Sequence, residues 1–268
     1  MPNLLFTFCL FVFSFSSAQP PGLTGKILDP SSGTYFKDIA DPFAAVLNPA
    51  SAAKFKKRTF AFSGEKRYGF RLFNLLSASV AIPVSTGCLT GQLDYFGFSK
   101  YSETQIGVCY ARTLGERADI GLRFNFFQVR VTNFPTEIAL YPQLGFRYIV
   151  HKNLLLGLSI SNPTGMVALQ NGRQFQPLIL RIGFGYILSE VTAIAAEVIK
   201  EEKTVSGIVC AIRYSPLPAF SMRLGINSVS GQSFINLLLQ KNKWQFVTGL
   251  VWHQELGFSP TVGGYCSF

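Results

Sequence analysis

The sequence is poor in charge, and it lacks the polar clusters that catalysis or metal binding would need. Only 14% of its 268 residues are charged. The two histidines, His151 and His253, lie far apart, and neither belongs to a His, Cys, Asp and Glu cluster with a metal-ligand spacing. Gly183-Phe184-Gly185 lacks the third glycine of a dinucleotide-binding loop. We therefore expect no enzymatic activity, no metal site and no cofactor.

Acidic residues are the scarcer charged class, with 14 Asp and Glu against 24 Lys and Arg and a net charge of +10. A nucleic-acid partner is not expected, because most basic residues are spread singly and do not share a face with aromatic residues. One basic cluster stands out, at Lys54, Lys56, Lys57 and Arg58. We interpret it as an interfacial anchor, with a partner-docking patch as the alternative.

Long hydrophobic runs are absent after the first 15 residues. The run from Leu4 to Phe15 is shorter than the roughly 20 residues of a membrane-spanning helix. Small residues up to Ala18 follow it, as at a signal-peptidase site. Residues 1–18 are thus predicted to be a signal peptide, and the absence of a Cys after Ala18 gives no indication of lipoprotein processing.

The remaining hydrophobicity, which includes most of the 26 Phe, is dispersed with a period of two. A period of two predicts β-strands with one apolar face. The C-terminal strand shows it from Phe258 to Phe268, where Phe258, Val262 and Phe268 alternate with Thr261 and Tyr265. The opposite face carries Gly, Ser, Ala, Asn and single Arg residues rather than the Lys and Glu of a solvated sheet. This favours a transmembrane β-barrel over a soluble sandwich.

The predicted fold is an all-β, closed antiparallel transmembrane barrel of about 14 strands, with 12 as the alternative if the strands near residues 55–82 are misread. An even number places both termini in the periplasm. The longest connection, residues 161–176, then lies outside the cell, and tight links near His151-Lys152, Ser189-Glu190 and Ser215-Pro216-Leu217 lie in the periplasm. Apolar residues change parity at Phe126-Phe127, which predicts a β-bulge.

Residues 19–54 differ from the rest and are expected to form a periplasmic lead-in or a short helical plug ahead of the barrel at residues 55–268. Asp41 as N-cap and Pro42 at the first position predict a helix, which Asn48-Pro49 would end. If the segment lies inside the barrel, the plug candidates are Asp38, Asp41, Asn48 and Pro49. The two acids would then face inward arginines.

The lumen-lining candidates are charged residues on the inward parity of the strands. They are Asp94, Glu103, Arg123, Arg147, Arg181, Glu197, Arg213 and Arg223. Charge away from bulk water is costly unless it is paired or hydrated. These residues are therefore expected to brace the barrel through salt bridges, with a path for anionic solutes as the alternative.

The run Asp41-Pro42-Phe43-Ala44-Ala45-Val46-Leu47-Asn48-Pro49-Ala50 resembles the Asp-x-x-Ala…Asn-Pro-Ala signature of the PorV/PorQ family of Bacteroidota. Leu158-Ser159-Ile160-Ser161-Asn162-Pro163-Thr164 adds a second Asn-Pro motif. The resemblance implies a FadL-like barrel in the outer membrane of a Gram-negative cell, in contact with lipid or lipopolysaccharide. It implies passive uptake of small hydrophobic or amphiphilic molecules or, as the alternative, interaction with type IX secretion proteins.

Overall fold

The computed structural model describes residues 34–36, 39, 41–163, 177–202 and 206–268. The predicted signal peptide, Asp38 and most of the predicted 161–176 connection lie outside the described residues. The described chain forms a closed barrel in which each strand pairs antiparallel with its sequence neighbours and the first strand pairs with the last. This confirms the closed 14-strand fold and rules out the 12-strand alternative.

The strands are separated by short turns at one rim and longer connections at the other. They are β1 (Thr59–Lys66), β2 (Asn74–Val84), β3 (Gly87–Phe98), β4 (Tyr101–Leu114), β5 (Ala118–Val131), β6 (Glu137–His151), β7 (Leu154–Ser161), β8 (Ile179–Ile187), β9 (Thr192–Glu201), β10 (Gly207–Leu217), β11 (Phe220–Asn227), β12 (Gln232–Lys241), β13 (Trp244–His253) and β14 (Gly257–Ser267).

We call the rim where β1 begins and β14 ends the terminal rim, and the other the distal rim. Thr59 pairs with Ser267 at the terminal rim. The turns there are as short as Ser85-Thr86 and Lys152-Asn153, whereas residues 162–178 connect β7 to β8 at the distal rim. The link predicted at Ser215-Pro216-Leu217 lies too early in the chain. These residues complete β10, and Pro218-Ala219 form the turn.

The alternation of side chains explains why the chain closes into a barrel. Large apolar residues of one parity point outward and stay exposed, as Ile106 (44%) and Val108 (57%) do on β4. Residues of the other parity, such as Cys109 and Ala111, are buried. A sheet that is apolar on its outer face and closed on itself leaves no unpaired strand edge, which is the arrangement that hydrocarbon surroundings require.

The β-bulge predicted at Phe126-Phe127 is wrong. The register of β5 against β4 and β6 runs through both residues without a shift. Phe127 instead points inward and is buried in an apolar cluster with Leu75, Phe96 and Tyr141. The apolar row thus changes face because the lumen itself becomes apolar near the distal rim. Register shifts occur elsewhere, between Ile149 and His151 and between Tyr214 and Leu217.

Three short 3₁₀ helices complete the described structure, at Ala44–Val46, Pro49–Lys54 and Arg67–Gly69. Within the residues that the structure describes, no helix is long and apolar enough to cross a membrane.

Candidate functional site

The N-terminal segment, defined here as the described residues from Thr34 to Lys54, lies against the inner wall of the barrel. Its helix Pro49–Lys54 contacts strands β3 to β6. Asn48, Ala50 and Ala52 are fully buried although they precede the first strand. The lumen is therefore partly filled by chain that sequence analysis left either as a lead-in or as a plug.

The predicted helix boundaries in this segment are wrong in detail. Asp41 Oδ1 accepts a hydrogen bond from Phe43 N (2.9 Å), so Asp41 closes a turn, and the first helix begins only at Ala44. Asn48 does not end a single helix. Its side chain accepts from Ala50 N (3.0 Å) and caps the second helix, with Pro49 at the first position. Asn and Pro are both favoured at these two positions of a helix start.

Inward-facing glycines make room for the segment. A Cβ at any of five glycines on β5 to β8 would collide with the backbone of Pro49 or Ala50, with the Asn48 side chain, or with Tyr35. These glycines are Gly121, Gly145, Gly157, Gly183 and Gly185. A glycine in a strand interior often marks such a close approach of another backbone. This side of the barrel is thus shaped to seat the N-terminal segment.

Polar side chains of the wall bind the backbone of the segment. Gln143 Nε2 donates to Val46 O (2.9 Å), and Ser159 Oγ donates to Leu47 O (2.7 Å). In return, Asn48 Nδ2 donates to the carbonyls of Phe146 and Leu158, each at 3.1 Å. These bonds satisfy carbonyls of the 3₁₀ turns that would otherwise be buried without partners.

Two of the predicted inward arginines form ion pairs beside Tyr35. Arg181 Nη1 lies 2.7 Å from Glu197 Oε2, and the Tyr35 hydroxyl donates to the other Glu197 oxygen. Arg147 pairs with Asp119 and also donates to Thr34 O (3.3 Å). Burial, together with the neighbouring Glu197 carboxylate, raises the pKa of Tyr35 well above its ordinary value. Tyr35 is therefore a neutral hydrogen-bond donor that ties the segment to a buried charge.

The other inward arginines contact the segment or the wall by different means. Arg223 Nη1 lies 3.7 Å from Asp41 Oδ2, and the Arg213 guanidinium lies 4.8 Å from the Phe36 ring centroid. Charge over an aromatic face is attractive, particularly where water is excluded. Four of the five predicted arginines thus meet Thr34, Asp41, Phe36 or the Tyr35–Glu197 pair.

Arg123 is held within the wall itself. Its guanidinium lies over Gly107, Nε donates to Asn125 Oδ1 (2.7 Å) and Nη1 donates to Gln92 Oε1 (3.3 Å). Asp94 accepts from Gln92 Nε2 (2.7 Å) and from Ser77, so it lies in the same network. The last predicted acid, Glu103, accepts from the Tyr101 hydroxyl nearer the distal rim.

An inward apolar cluster lines the distal end of the lumen on the β2–β6 side, beyond this polar layer. Its members come from the distal ends of β2 to β6 and the preceding connection: Phe73, Leu75, Phe96, Tyr101, Phe127, Val129, Ala139 and Tyr141. Arg67, itself buried, lies 5.3 Å from the centroid of the Phe96 ring. Sequence analysis missed this distal cluster because the predicted bulge kept Phe127 and Val129 in the outer apolar row, and the other members were not assigned to a face.

Tyr35 and Asp119 were also missed as site residues. Tyr35 lies in a stretch without periodicity, and its partner Glu197 is 162 positions away. Asp119 could have been found, since it shares the inward parity of Arg123 and faces Arg147 on the next strand.

The opposite side of the lumen is more open. Several inward residues of β12, β13, β14 and β1 remain partly accessible at mid-depth. One of them is charged, Glu65 on β1, which pairs with Arg67 (Nε–Oε1 3.3 Å), and the others are uncharged. They are Ser63, Asn236, Gln245, Val247, Gly249 and Thr261. The lumen therefore has a packed half with most of the inward charge and an open half whose accessible surface is mostly uncharged.

In the described part of the chain, no three His, Cys, Asp or Glu side chains come together. The described cysteines Cys88, Cys109, Cys210 and Cys266 are all free. Cys266 has outward parity, but it is buried between its cross-strand neighbours Phe60 and Trp244.

Comparison with known proteins gives a fold but no family. No family model matches the sequence, and no curated protein matches it. Among solved structures, the Ralstonia pickettii toluene transporter TbuX aligns with a TM-score of 0.61 at 9% identity, over 90% of this chain and 97% of that one. The Pseudomonas putida toluene transporter TodX gives 0.60 at 9% identity, over 88% and 94%.

The monoaromatic hydrocarbon channel CymD gives a TM-score of 0.58 at 10% identity, over 88% of this chain and 94% of that chain. Identities this low establish shared architecture only. The fold is that of the outer-membrane β-barrels, and it agrees with the FadL-like barrel that the sequence predicted. Membership of the PorV/PorQ family stays a prediction.

Proposed function

We propose that the protein is an outer-membrane channel for passive uptake of small hydrophobic or amphiphilic molecules, and that the N-terminal segment is its plug. The observation that carries the proposal is the eccentric seating of this segment, which fills the β3–β9 side of the lumen and leaves accessible inward surface on β12–β14 and β1. A barrel filled by its own wall side chains would need no such segment.

The distal cluster supports the substrate class. Its partly accessible members, Phe73, Tyr101 and Val129, face the inside of the barrel, where apolar side chains give a hydrophobic solute a favourable first contact. TodX, TbuX and CymD, with which the chain shares its architecture, transport toluene or conduct monoaromatic hydrocarbons. Export through a signal peptide and residence in the outer membrane of a Gram-negative cell are parts of the same proposal.

A catalytic role is not proposed. The buried carboxylates Asp94, Asp119 and Glu197 are engaged by Gln92, Arg147, Arg181 or Tyr35. The buried position of these groups suits bracing better than a path for anions. A role in type IX secretion has no support from the structural likenesses and stays a prediction.

The test is removal of the plug. A variant lacking residues 38–53 should fold, as shown by a heat-dependent mobility shift on a gel, and should pass ions with higher single-channel conductance than the full chain. Uptake of an aromatic hydrocarbon into liposomes should rise with it. Unchanged conductance and uptake in a correctly folded deletion variant would overturn the proposal.

A point substitution tests the same proposal more directly. In the Gly145→Val variant, the new Cβ would lie only 2.8 Å from Ala50 N. The segment must move, because backbone atoms cannot give way as a flexible side chain does. Gly91→Val, where the new Cβ would meet only Val80 Cγ1 at 3.4 Å on the outer face, is the matched control and should conduct like the wild type.

A further inference from the structure

The two rims of the barrel differ in charge. At the terminal rim, exposed basic residues outnumber exposed acids among the described residues: Lys56, Lys57, Arg58, Arg112, Arg117, Lys152, Lys241 and Lys243 stand against Glu116 and Glu190. At the distal rim the exposed residues are Lys66, Arg71, Lys100, Arg130 and Lys200 against Glu202 and Glu255, and the partly accessible Glu65, Glu137 and Glu201 offset much of the remaining positive charge. Most of the positive charge on the exposed rims therefore lies beside the chain termini.

Part of this charge is concentrated where the barrel closes. The backbone ties two basic residues to the end of β14, because Ser267 N donates to Lys243 O (3.0 Å) and the next residue, Phe268, donates through its N to Arg58 O (2.8 Å). Adjacent strands lie about 4.8 Å apart. Arg58 and Lys243 thus flank the last strand on its two sides, with their side chains exposed.

We name this group the basic seam, consisting of Lys56, Lys57, Arg58, Lys241 and Lys243. The exposed acids of the same rim lie elsewhere on the barrel. Glu116 is in the β4–β5 turn and Glu190 is in the β8–β9 turn, several strands away on either side. The field at the seam is therefore positive and is not cancelled by either of these carboxylates.

Directly below the seam, the outer face is aromatic. Phe60 (50% exposed) on β1 and Trp244 (48% exposed) on β13 flank Cys266, and Phe62 and Phe246 flank Gly264 one pleat further in. Trp244 and Phe246 are stacked, with centroids 6.3 Å apart. Aromatic rings at this depth mark the boundary between hydrocarbon and headgroups.

We infer that the basic seam, together with the aromatic rings below it, binds an anionic phospholipid in the membrane leaflet at the terminal rim. The rings contact the acyl chains, and the guanidinium and ammonium groups contact the phosphate and the anionic headgroup. Arg suits a phosphate through its planar pair of donors, and Lys supplies point charge. The continuity of apolar and basic surface favours a lipid over a soluble anion, which would use the charges but not the rings.

The inference is independent of transport, and it requires only that the barrel sits in a bilayer. A channel that proves impermeable to hydrocarbons would leave it intact.

The two tryptophans of the chain provide the experiment. Trp244 lies at the terminal end of β13 beside Lys241, and Trp252 lies at the distal end, paired with Phe258. In a Trp252→Phe variant, Trp244 reports on the seam. In a Trp244→Phe variant, Trp252 reports on the distal rim. The full chain is placed in vesicles of phosphatidylcholine that contain a small fraction of either brominated phosphatidylglycerol or brominated phosphatidylcholine, and tryptophan quenching measures lipid contact.

Brominated phosphatidylglycerol should quench Trp244 more strongly than brominated phosphatidylcholine does, whereas the two should quench Trp252 alike. Each basic residue near an anionic lipid gives a several-fold preference. Arg58→Gln, Lys241→Gln and Lys243→Gln together should therefore weaken the preference by about tenfold or more at low salt. Lys66→Gln, Lys100→Gln and Arg130→Gln at the distal rim are the matched control and should leave it unchanged.

A heat-dependent mobility shift must first confirm that each variant folds, and Lys243→Gln alone serves if the triple variant does not. Equal quenching of Trp244 by the two brominated lipids would overturn the inference. So would a preference that survives the seam substitutions, or one that millimolar inorganic phosphate abolishes at constant ionic strength, since a soluble anion would then be the ligand.

Discussion

The two halves of the lumen differ in what fills the space beside their inward-facing glycines. On β5 to β8, the space left by inward glycines is occupied by the N-terminal segment, as at Gly121 and Gly145. On β11 to β13, it is occupied by side chains of the wall itself. The Phe234 ring covers Gly225, and the Asn236 and Thr261 side chains cover Gly249. A glycine on the inward face therefore marks close packing but does not reveal which part of the chain fills the space.

Charge follows the same division. On the packed side, Arg123, Asn125, Gln143 and Glu197 are each at most 3% exposed. Buried charge is tolerated there because each group has a partner, whether Asn125 and Gln92 for Arg123 or Arg181 and Tyr35 for Glu197. On the open side, accessible positions such as Asn236 and Thr261 carry no charge. The packed half contacts the segment, and the open half leaves inward surface accessible.

The largest difference between the halves should appear when a buried charge loses its partner. Arg147→Met leaves Asp119 in the wall without its cation and removes the bond to Thr34 O. Breaking a buried ion pair in this way typically costs about 3–5 kcal/mol. The free energy of unfolding, measured by urea titration in detergent micelles, should fall by that amount.

Thr261→Val is the matched change on the open half. It keeps the side-chain volume, and Thr261 is partly accessible, so stability should change by less than about 0.5 kcal/mol. Equal losses for the two variants would contradict the division of the lumen into a packed and an open half.

A smaller effect is expected from the Tyr35 contact, and it depends on pH. Because the pKa of Tyr35 is raised in the folded state, by burial and by Glu197, the folded protein holds this proton more tightly than the unfolded chain does. Arg181 and Arg147 act in the opposite direction but are the weaker influences. The stabilising contact is therefore complete below the ordinary tyrosine pKa of about 10 and is lost as the pH rises above it.

Wild-type protein should accordingly release the segment at alkaline pH, seen as rising conductance above about pH 10. Tyr35→Phe removes both the titration and a hydrogen bond to a charged group, worth about 1.5–3 kcal/mol. This variant should conduct more than wild type at neutral pH, and its conductance should rise less with pH. An identical alkaline rise in both proteins would show that another group controls it.

Sequence alone was sufficient for the barrel because the period of two is a local property. The alternation of Ile106 and Gly107, repeated along the chain, indicated which side chains point outward. The turn residues indicated where each strand ends. The prediction failed at Phe127. There an apolar residue faces inward because the lumen becomes apolar near the distal rim, and the alternation alone does not show this. The first strand was also predicted to begin at residue 55 but begins at Thr59, because residues 55–58 connect the helix at 49–54 to the strand.

The position of the N-terminal segment could not be predicted from the sequence, for a different reason. Its contacts join residues about 100 or more positions apart, such as Asn48 with Phe146 and Tyr35 with Glu197. Nothing local distinguishes Gly145, which receives the segment, from Gly249, which does not. The inward arginines could be recognised by parity, but their individual partners depend on how the closed barrel brings distant strands around the segment.

The smallest expected effect tests whether the open half faces the solute path. Asn236→Asp adds a negative charge at a partly accessible inward position whose cross-strand neighbours are Gly249 and Arg223. An exposed charge interacts weakly with passing ions, by about 0.2–1 kcal/mol, so the cation-to-anion permeability ratio should rise only about twofold. The reversal potential in a salt gradient across a planar bilayer measures this ratio, preferably in the deletion variant, where the current is larger.

Asn242→Asp is the control, because Asn242 lies in the exposed β12–β13 turn outside the lumen and its positive φ suits Asp nearly as well as Asn. If both substitutions shift the reversal potential equally, the charge acts through the general field of the barrel, and Asn236 does not line the path. A shift with Asn236→Asp alone would place the path along β12 and β13, on the side of the lumen that the N-terminal segment leaves open.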